Sequence, residues 1–162
     1  PFIEPEFSFK IKNNLSISDY PYTSDTVCEL IDKILPSIEI VDSRFLDWTS
    51  IGINNLIADN AANAYWIYGN EINNLNSFDL NNHSVSVYRN NKIISQGNSN
   101  NVLGNPINSL TWLINNMKKY GQNIEAGSYV STGTCTPAIP IKKNDHISAN
   151  FGNLGSVDFK LI

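Results

Sequence analysis

Hydrophobic and polar positions alternate with a period of two in many short stretches of this chain, a pattern typical of β-strands. The first such stretch covers residues 2–12 and is rich in Phe and Ile. A second pair of stretches flanks Asn90-Asn91, a dipeptide that favours a tight turn, so a β-hairpin is predicted there. In full, the pattern predicts strands at 2–12, 37–42, 65–68, 84–89, 92–96, 129–130, 138–141, 146–151 and 156–161.

Apolar residues recur at helical spacing in two segments. The first follows a polar loop through Asp19-Tyr20-Pro21 and the helix-start signal Thr23-Ser24-Asp25, and Pro36 is expected to end it. Its apolar positions are Val27, Leu30, Ile31 and Ile34. The second begins at Asn105-Pro106, ends before Gly121 and places on one face Leu110, Leu113, Ile114 and Met117. Residues 51–64 are ambiguous and are read as a helical turn.

Many strands with two interspersed helices predict an α+β domain. We expect a mixed, largely antiparallel sheet that curls into a roll or barrel, with the two main helices beside it. Residues 1–162 show no internal repeat and no linker, so they are predicted to form a single catalytic-type domain. Pro5 has no backbone N–H and is expected at a sheet edge or at a bulge.

Composition narrows the class of protein. Hydrophobic residues make up 41% of the chain and the mean hydropathy is -0.21, values typical of a soluble globular protein. A net charge of -4 argues against a nucleic-acid partner, and no apolar run is long enough to indicate a membrane partner. Cys28 and Cys135 are too few and too far apart for a disulfide framework. We therefore expect reduced, buried thiols and a cytoplasmic location.

Two carboxylates stand at the start of the first predicted strand. Because side chains alternate along a strand, Glu4 and Glu6 point to the same face, where their like charges repel. A bound Mg²⁺ or Mn²⁺ would relieve the repulsion, since such ions prefer carboxylate oxygens. A solvated acidic face is the alternative that spacing leaves open. Similarly, Asp42 and Arg44 fit either an ion pair that orients a metal-binding loop or an ordinary surface pair.

Several ordered segments resemble the 2-keto-4-pentenoate hydratase branch of the fumarylacetoacetate hydrolase superfamily. The resemblance extends over nearly the whole chain. The segments that carry it include Glu4-Pro5-Glu6-Phe7-Ser8-Phe9, Glu39-Ile40-Val41-Asp42-Ser43-Arg44, Ala58-Asp59-Asn60-Ala61, Leu103-Gly104-Asn105-Pro106 and Ser131-Thr132-Gly133-Thr134-Cys135-Thr136.

This resemblance implies that Glu4, Glu6 and Glu39 bind a Mg²⁺ or Mn²⁺ ion and that the partner is a small 2-oxo carboxylate. The implied reaction is the addition of water to a 2-hydroxy-2,4-dienoate, which gives a 4-hydroxy-2-oxoacid during the breakdown of aromatic compounds. Relatives suggest two alternatives: decarboxylation of a 4-oxalocrotonate-type diacid and hydrolysis of an acylpyruvate. A homo-oligomer is also expected.

The chain departs from the family pattern in two ways. Ala62-Asn63 stands where hydratases carry a Ser-rich stretch, so the Asn63 amide is expected to replace part of its role. The family's N-terminal region, which supplies a lysine and part of the pocket wall, has no counterpart in these residues. A catalytically inactive, truncated binding or assembly subunit is therefore a further alternative.

The remaining residues receive narrower assignments. The hydroxyl of Thr134, in the loop around Gly133, is either a group that holds the substrate carboxylate or part of a tight turn. Asp42, Asn63 and Thr134 are thus the candidate catalytic residues. His83 and His146 lack a partner motif and receive no catalytic role. Tryptophans are assigned to the core or to an interface, namely Trp48, Trp66 and Trp112.

Overall fold

A computed structural model describes residues 1–15 and 21–162. Within this part of the chain, the strands and helices follow the order β1 (Phe2–Ile11), α1 (Ser24–Cys28), β2 (Ile31–Val41), α2 (Ile53–Ala58), β3 (Asn63–Tyr68), β4 (Ser84–Arg89), β5 (Lys92–Asn98), α3 (Pro106–Lys119), β6 (Tyr129–Thr134), β7 (Ile139–Pro140), β8 (His146–Asn150) and β9 (Ser156–Lys160). Of the predicted first loop, Asp19 and Tyr20 lie outside the described residues.

Two antiparallel sheets form the domain. The larger has the strand order β3-β2-β1-β6, and β7 also pairs with β1. The smaller has the order β5-β4-β8-β9. The predicted α+β class with antiparallel pairing is confirmed. The strands do not curl into one roll or barrel. They divide between two sheets, and among the described residues the last strand of each sheet does not pair with the first.

The first predicted helix is much shorter than expected. It begins as predicted, since Thr23 and Thr26 form a reciprocal capping box, but α1 ends at Cys28. Ile31 and Ile34 belong instead to β2, where they pair with β1. β-Branched side chains fit a pleated surface well, and Ile34 is fully buried there. Tertiary burial therefore overrides the helical spacing, and α3 is the one long helix among the described residues.

Two prolines lie inside the larger sheet rather than at its edge. The carbonyl of Pro36 accepts the N–H of Gly69 at 2.9 Å, and that of Pro5 accepts the N–H of Cys135 at 2.8 Å. In an antiparallel ladder, the N–H and C=O of one residue point to the same neighbouring strand. The missing N–H of Pro36 thus faces the end of β3. That of Pro5 faces the irregular junction between β6 and β7, where the register shifts.

The second helix and the hairpin form as predicted. The Asn105 side chain accepts the N–H of Ile107 at 2.9 Å and caps α3, and Pro106 occupies its first turn. Leu110 and the helical positions beside it pack into the core. In the hairpin, the φ angles of Asn90-Asn91 are 49° and 66°, both positive as a type I′ turn requires.

Alternation along the two central strands separates the core from the opposite face. Phe7 and Phe9 of β1 are fully buried, and they join residues of the smaller sheet such as Ile147 in one hydrophobic cluster. The intervening residues of β1 point the other way and are Glu4, Glu6, Ser8 and Lys10. One strand therefore supplies both the core and a polar face. No helix in residues 1–15 and 21–162 is long and apolar enough to cross a membrane.

Candidate metal centre

Three carboxylates meet on the polar face of the larger sheet. Glu4 of β1 and Glu39 of β2 are direct cross-strand partners, so their side chains leave the sheet side by side. Glu6 follows two residues along β1 and points to the same face. One carboxylate oxygen from each residue lies within 4.8 Å of the others. The register of β1 and β2 thus creates the cluster.

Burial makes this cluster electrostatically costly. Glu6 is only 3% exposed, and burial raises its pKa from the ordinary value of 4.5 to about 7. Hydrogen bonds from Ser131 and Gly133 lower that pKa, whereas the charges of Glu39 and Glu4 raise it further. The pKa of Glu4 is also raised, first by burial and then by Glu39. Without a positive charge nearby, Glu4 and Glu6 resist ionisation.

Neighbouring donors hold two of the carboxylates in place. The Ser131 hydroxyl and the Gly133 N–H, the latter at 3.1 Å, both donate to Oε2 of Glu6. The side-chain amide of Asn63 donates to Oε1 of Glu39 at 2.7 Å. These contacts use one oxygen of each group. The other oxygen of Glu6 and of Glu39 takes none of these bonds.

A buried group of hydroxyls lies beneath Glu6. Ser8 and Ser37 are fully buried and their hydroxyls are 2.6 Å apart. Ser8 also donates to Ser131 at 3.2 Å, and Ser37 donates to the backbone carbonyl of Glu6 at 3.2 Å. Sequence reasoning missed this network. The available signal was the spacing of Ser8, which continues the alternation of Glu4 and Glu6 on one face.

The residues present fit a hard divalent cation. The cluster offers oxygen atoms alone, the donor type that Mg²⁺ and Mn²⁺ prefer. Three carboxylate oxygens within 4.8 Å of one another can approach one ion together. In an octahedral shell they would leave about three positions for other oxygen ligands. A charge of +2 would also offset the repulsion that raises the pKa values of Glu4 and Glu6.

Asp42 and Arg44 do not form the ion pair that the sequence suggested. Arg44 instead contacts Asp59, with 2.7 Å between Nη1 and Oδ1, and Ser43 donates to the same carboxylate at 2.5 Å. The side chain of Asp59 is fully buried, so it attracts the available donors. Asp42 is exposed and, with Asn63, lines a cavity of about 340 Å³ whose lining residues do not include Glu4, Glu6 or Glu39.

Asn63 owes its position to an unusual turn. The three preceding residues have positive φ angles of 57°, 53° and 61°, a conformation that is costly for residues other than glycine. This left-handed turn, Asn60–Ala62, ends where β3 begins, with Asn63 opposite Val41. The Asn63 amide consequently reaches Glu39. Its observed contact is with a carboxylate of the cluster, so it positions Glu39.

Thr134 lies opposite Glu6 in the strand register, but its hydroxyl serves its own loop. It donates to the carbonyl of Thr136 at 2.8 Å and accepts the N–H of that residue at 3.4 Å. The backbone at Gly133 has φ of 119°, which favours glycine, and its N–H binds Glu6. The loop therefore contributes a backbone donor to the cluster.

The remaining candidates lie outside the cluster. His83 Nε2 is 2.6 Å from the carbonyl of Phe151 and its ring packs edge-on against Phe7, which is a structural contact. Cys135 is buried, and burial raises the pKa of its thiol to about 12, so it is a poor nucleophile. Trp66 is not part of the core cluster; it lies directly opposite Glu39 on the polar face.

Comparison with known proteins identifies relatives over nearly the whole chain. It is 31% identical over 157 residues to 2-keto-4-pentenoate hydratase 1 of Dechloromonas aromatica (strain RCB), a match that covers 97% of the chain and 59% of that protein. The structure aligns with 4-oxalocrotonate decarboxylase from Pseudomonas putida G7, complexed with magnesium and adipate, with a TM-score of 0.89 and 30% identity. That alignment covers 99% of the chain and 60% of the decarboxylase.

A more distant likeness concerns the fold alone. A protein of Yersinia pestis CO92 assigned to the fumarylacetoacetate hydrolase family aligns with a TM-score of 0.75 at 19% identity, over 99% of this chain and 72% of that one. No protein-family model matches the chain. The chain spans about 60% of the length of the hydratase and the decarboxylase.

Proposed function

The chain belongs to the branch of the fumarylacetoacetate hydrolase superfamily that contains 2-keto-4-pentenoate hydratases and 4-oxalocrotonate decarboxylases, and we propose that it binds Mg²⁺ or Mn²⁺ for a hydratase reaction. The proposed substrate is a 2-hydroxy-2,4-dienoate, and the product is a 4-hydroxy-2-oxoacid. The observation that carries the proposal is the meeting of the Glu4, Glu6 and Glu39 oxygens within 4.8 Å of one another.

The chain's own residues have distinct tasks in this proposal. Glu4, Glu6 and Glu39 would hold the ion, which when bound supplies Lewis-acid stabilisation of negative charge on the 2-oxo oxygen of the substrate. Asn63 keeps Glu39 in the orientation seen in the structure through its 2.7 Å hydrogen bond. Gly133 N–H does the same for Glu6 at 3.1 Å. Both donors fix a carboxylate and thereby preorganise the site.

Asp42 is the candidate that faces open space. It is exposed, it lines the cavity of about 340 Å³ with Asn63, and its Oδ1 accepts the N–H of Ser43 at 3.0 Å. A carboxylate held by a backbone donor at the wall of a cavity can accept or return a proton. We assign that task to Asp42, and we assign to Thr134 a supporting role in shaping the loop beside Glu6.

Decarboxylation of a 4-oxalocrotonate-type diacid is the second candidate function. It is favoured by the TM-score of 0.89 to a decarboxylase, and it would use the same carboxylates. Acylpyruvate hydrolysis and an inactive subunit are further alternatives. The reactions differ in their products, since only decarboxylation releases carbon dioxide and only hydratase action gives a 4-hydroxy-2-oxoacid. Product identification therefore separates them.

Metal binding is the first test of the proposal. Isothermal titration of metal-free protein with Mg²⁺ and Mn²⁺ is expected to show one binding event, and Glu39→Gln is expected to weaken it at least tenfold. The matched control is Glu29→Gln, because Glu29 is exposed and lies outside the cluster. Equal affinity of the Glu39→Gln variant and the wild type would refute the site.

Turnover is the second test. Incubation of the protein with 2-hydroxypenta-2,4-dienoate and Mg²⁺ is expected to consume the dienoate, and a chelator is expected to stop the reaction. Metal binding without turnover of this substrate or of a diacid would support the inactive-subunit alternative and refute the hydratase. Release of carbon dioxide from 4-oxalocrotonate, with no hydration of the dienoate, would assign the protein to decarboxylation.

A further inference from the structure

Three aromatic rings cross the polar face of the larger sheet next to the carboxylates. Trp66 and Tyr68 belong to β3, whereas Tyr129 belongs to β6. Their ring centroids are 4.6 Å apart for Trp66 and Tyr68, 5.7 Å for Tyr68 and Tyr129, and 5.4 Å for Trp66 and Tyr129. We call these three residues the aromatic bridge.

The bridge covers the strands between its two ends. β3 and β6 are separated by β2 and β1, a span of three strand spacings or about 14 Å. Rings that start so far apart and still touch must lean inward over the sheet. Beneath them, Ser8 and Ser37 are fully buried even though they belong to the polar face. The bridge therefore forms a roof over this part of the face.

This roof adjoins the carboxylate cluster directly. Trp66 lies opposite Glu39, which in turn lies opposite Glu4, so the three form one row across the sheet. Cross-strand neighbours have Cβ atoms about 5 Å apart. The indole Nε1 of Trp66 is buried without a hydrogen-bond acceptor in the described part of the chain, so stacking alone orients its ring. The edge of the bridge is thus one strand away from the proposed ion.

The outer side of the bridge is accessible. Tyr68 is 50% exposed and Tyr129 is 37% exposed, although both side chains carry a large aromatic ring. Exposed aromatic rings that make few polar contacts offer contact area to an apolar or planar group. Tyr129 donates its hydroxyl to Glu71, and its ring centroid lies 5.1 Å from the Lys10 ammonium. The exposed parts of the Tyr68 and Tyr129 rings, outside these contacts, are the surfaces that remain for a ligand.

The charges around the aromatic bridge disfavour the binding of a ligand that carries a second acidic group. Lys10 is a cation in contact with the bridge, and it is paired with Glu71 at 3.1 Å. Lys33, beside Lys10 in the register, contacts Asp32 at 3.6 Å. A carboxylate placed on the bridge would have to displace Glu71 from Lys10. An uncharged group meets no such cost.

We propose that the aromatic bridge binds the end of the substrate that is distal to the ion, and that this end is an uncharged alkyl or aryl tail. This inference rests on the proposed metal-dependent binding of a 2-oxo acid and adds its substrate class. The site is expected to bind monoacids more tightly than diacids. A 2-oxo acid whose head lies at Glu39 would pass over Trp66 and lay its tail on Tyr68 and Tyr129.

The test uses saturated 2-oxo acids, which bind without reacting. Their affinity for the Mg²⁺-loaded protein is measured by isothermal titration for 2-oxopentanoate, for 2-oxo-6-phenylhexanoate and for 2-oxoadipate. The phenyl compound is expected to bind at least tenfold more tightly than 2-oxopentanoate, and 2-oxoadipate is expected to bind more weakly than 2-oxopentanoate. These ligands differ only beyond the 2-oxo acid head, so the comparison isolates the tail.

Variants of the aromatic bridge and of a tyrosine outside the sheet provide the controls. Tyr68→Ala is expected to reduce the advantage of the phenyl compound at least fivefold and to leave 2-oxopentanoate affinity unchanged. Tyr68→Phe keeps the ring and is expected to retain the advantage, which guards against a folding defect as the explanation. Tyr120→Ala is the matched control, because Tyr120 is 72% exposed at the C-terminal end of α3, outside the larger sheet.

The outcomes separate this inference from the proposed function. If 2-oxopentanoate binds only with Mg²⁺ but the phenyl tail adds no affinity, the tail site is refuted and the metal site stands. The tail site is also refuted if Tyr120→Ala and Tyr68→Ala have equal effects, or if 2-oxoadipate binds most tightly. If none of the three acids binds with Mg²⁺, both the proposed function and the tail site are refuted.

Discussion

Replacement of Glu6 by Gln should change the pH dependence of stability in a calculable way. A rise in the pKa of Glu6 from 4.5 to about 7 corresponds to about 3 kcal/mol of unfolding free energy lost when the native carboxyl must ionise. Gln has the same shape and can still accept from Ser131 and Gly133, but it carries no charge. The variant should fold and should not incur this loss.

The direction of this pH dependence follows from which state, native or unfolded, keeps the Glu6 proton. Between pH 4.5 and about 7, native Glu6 keeps a proton that the unfolded chain has released, so the unfolding free energy falls as pH rises through this window. From pH 5 to pH 8 the wild type should lose roughly 2–3 kcal/mol more of its unfolding free energy than Glu6→Gln. Urea unfolding of the metal-free proteins, followed by circular dichroism at both pH values, measures the difference.

Two controls sharpen this experiment. Glu29→Gln removes an exposed carboxylate outside the cluster and should keep the wild-type pH dependence. Saturating Mg²⁺ at pH 8 should stabilise the wild type and leave Glu6→Gln almost unchanged. Equal losses in the wild type and in Glu6→Gln between pH 5 and pH 8 would show that Glu6 is not held in a buried, charge-repelling site, and the electrostatic argument would fail.

Three further substitutions probe separate contacts. Asn63→Ala removes the 2.7 Å hydrogen bond to Glu39 and should weaken Mg²⁺ binding three- to tenfold by titration, whereas unchanged affinity would deny it a positioning role. Arg44→Ala removes the charge partner of buried Asp59 and should lower the melting temperature; no change would show that Ser43 suffices. Leu110→Ala empties a fully buried position of α3 and should reduce the unfolding free energy by about 2–5 kcal/mol in urea, without altering Mg²⁺ affinity.

Local signals were sufficient for elements whose ends carry strong residue preferences. Asn105 and Pro106 mark the start of α3, and Asn90-Asn91 marks the hairpin, because in each case the side chain or the φ preference acts within a few residues. The helix predicted through Ile34 failed for the opposite reason. Its apolar spacing is compatible with a helix, but pairing with Phe9 of β1, far away in sequence, buries Ile34 in a strand.

In the candidate site too, some features could be predicted from local sequence and others depend on pairing between distant segments. Alternation along a strand was enough to predict that Glu4 and Glu6 share a face, whereas the place of Glu39 came only from resemblance to a family. The resemblance made Asn63 a candidate, but its contact with Glu39 and that of Ser131 with Glu6 could not be predicted, because both donors reach the carboxylates through the sheet register. Sequence reasoning also assigned Trp66 to the core or to an interface, although the register with Glu39 brings it to the site.

The arrangement links metal binding to folding. Strand β1 directs Phe7 into the core and Glu6 onto the opposite face, where its ionisation costs about 3 kcal/mol. A ligand that binds only the native state, present at 100 times its dissociation constant, stabilises a protein by about 2.7 kcal/mol. The two amounts are of the same order. An ion at Glu4, Glu6 and Glu39 would thus restore the stability that the carboxylate cluster removes at neutral pH. Stability alone would favour an uncharged residue in place of Glu6, so the presence of a buried acid there is explained best by ion binding.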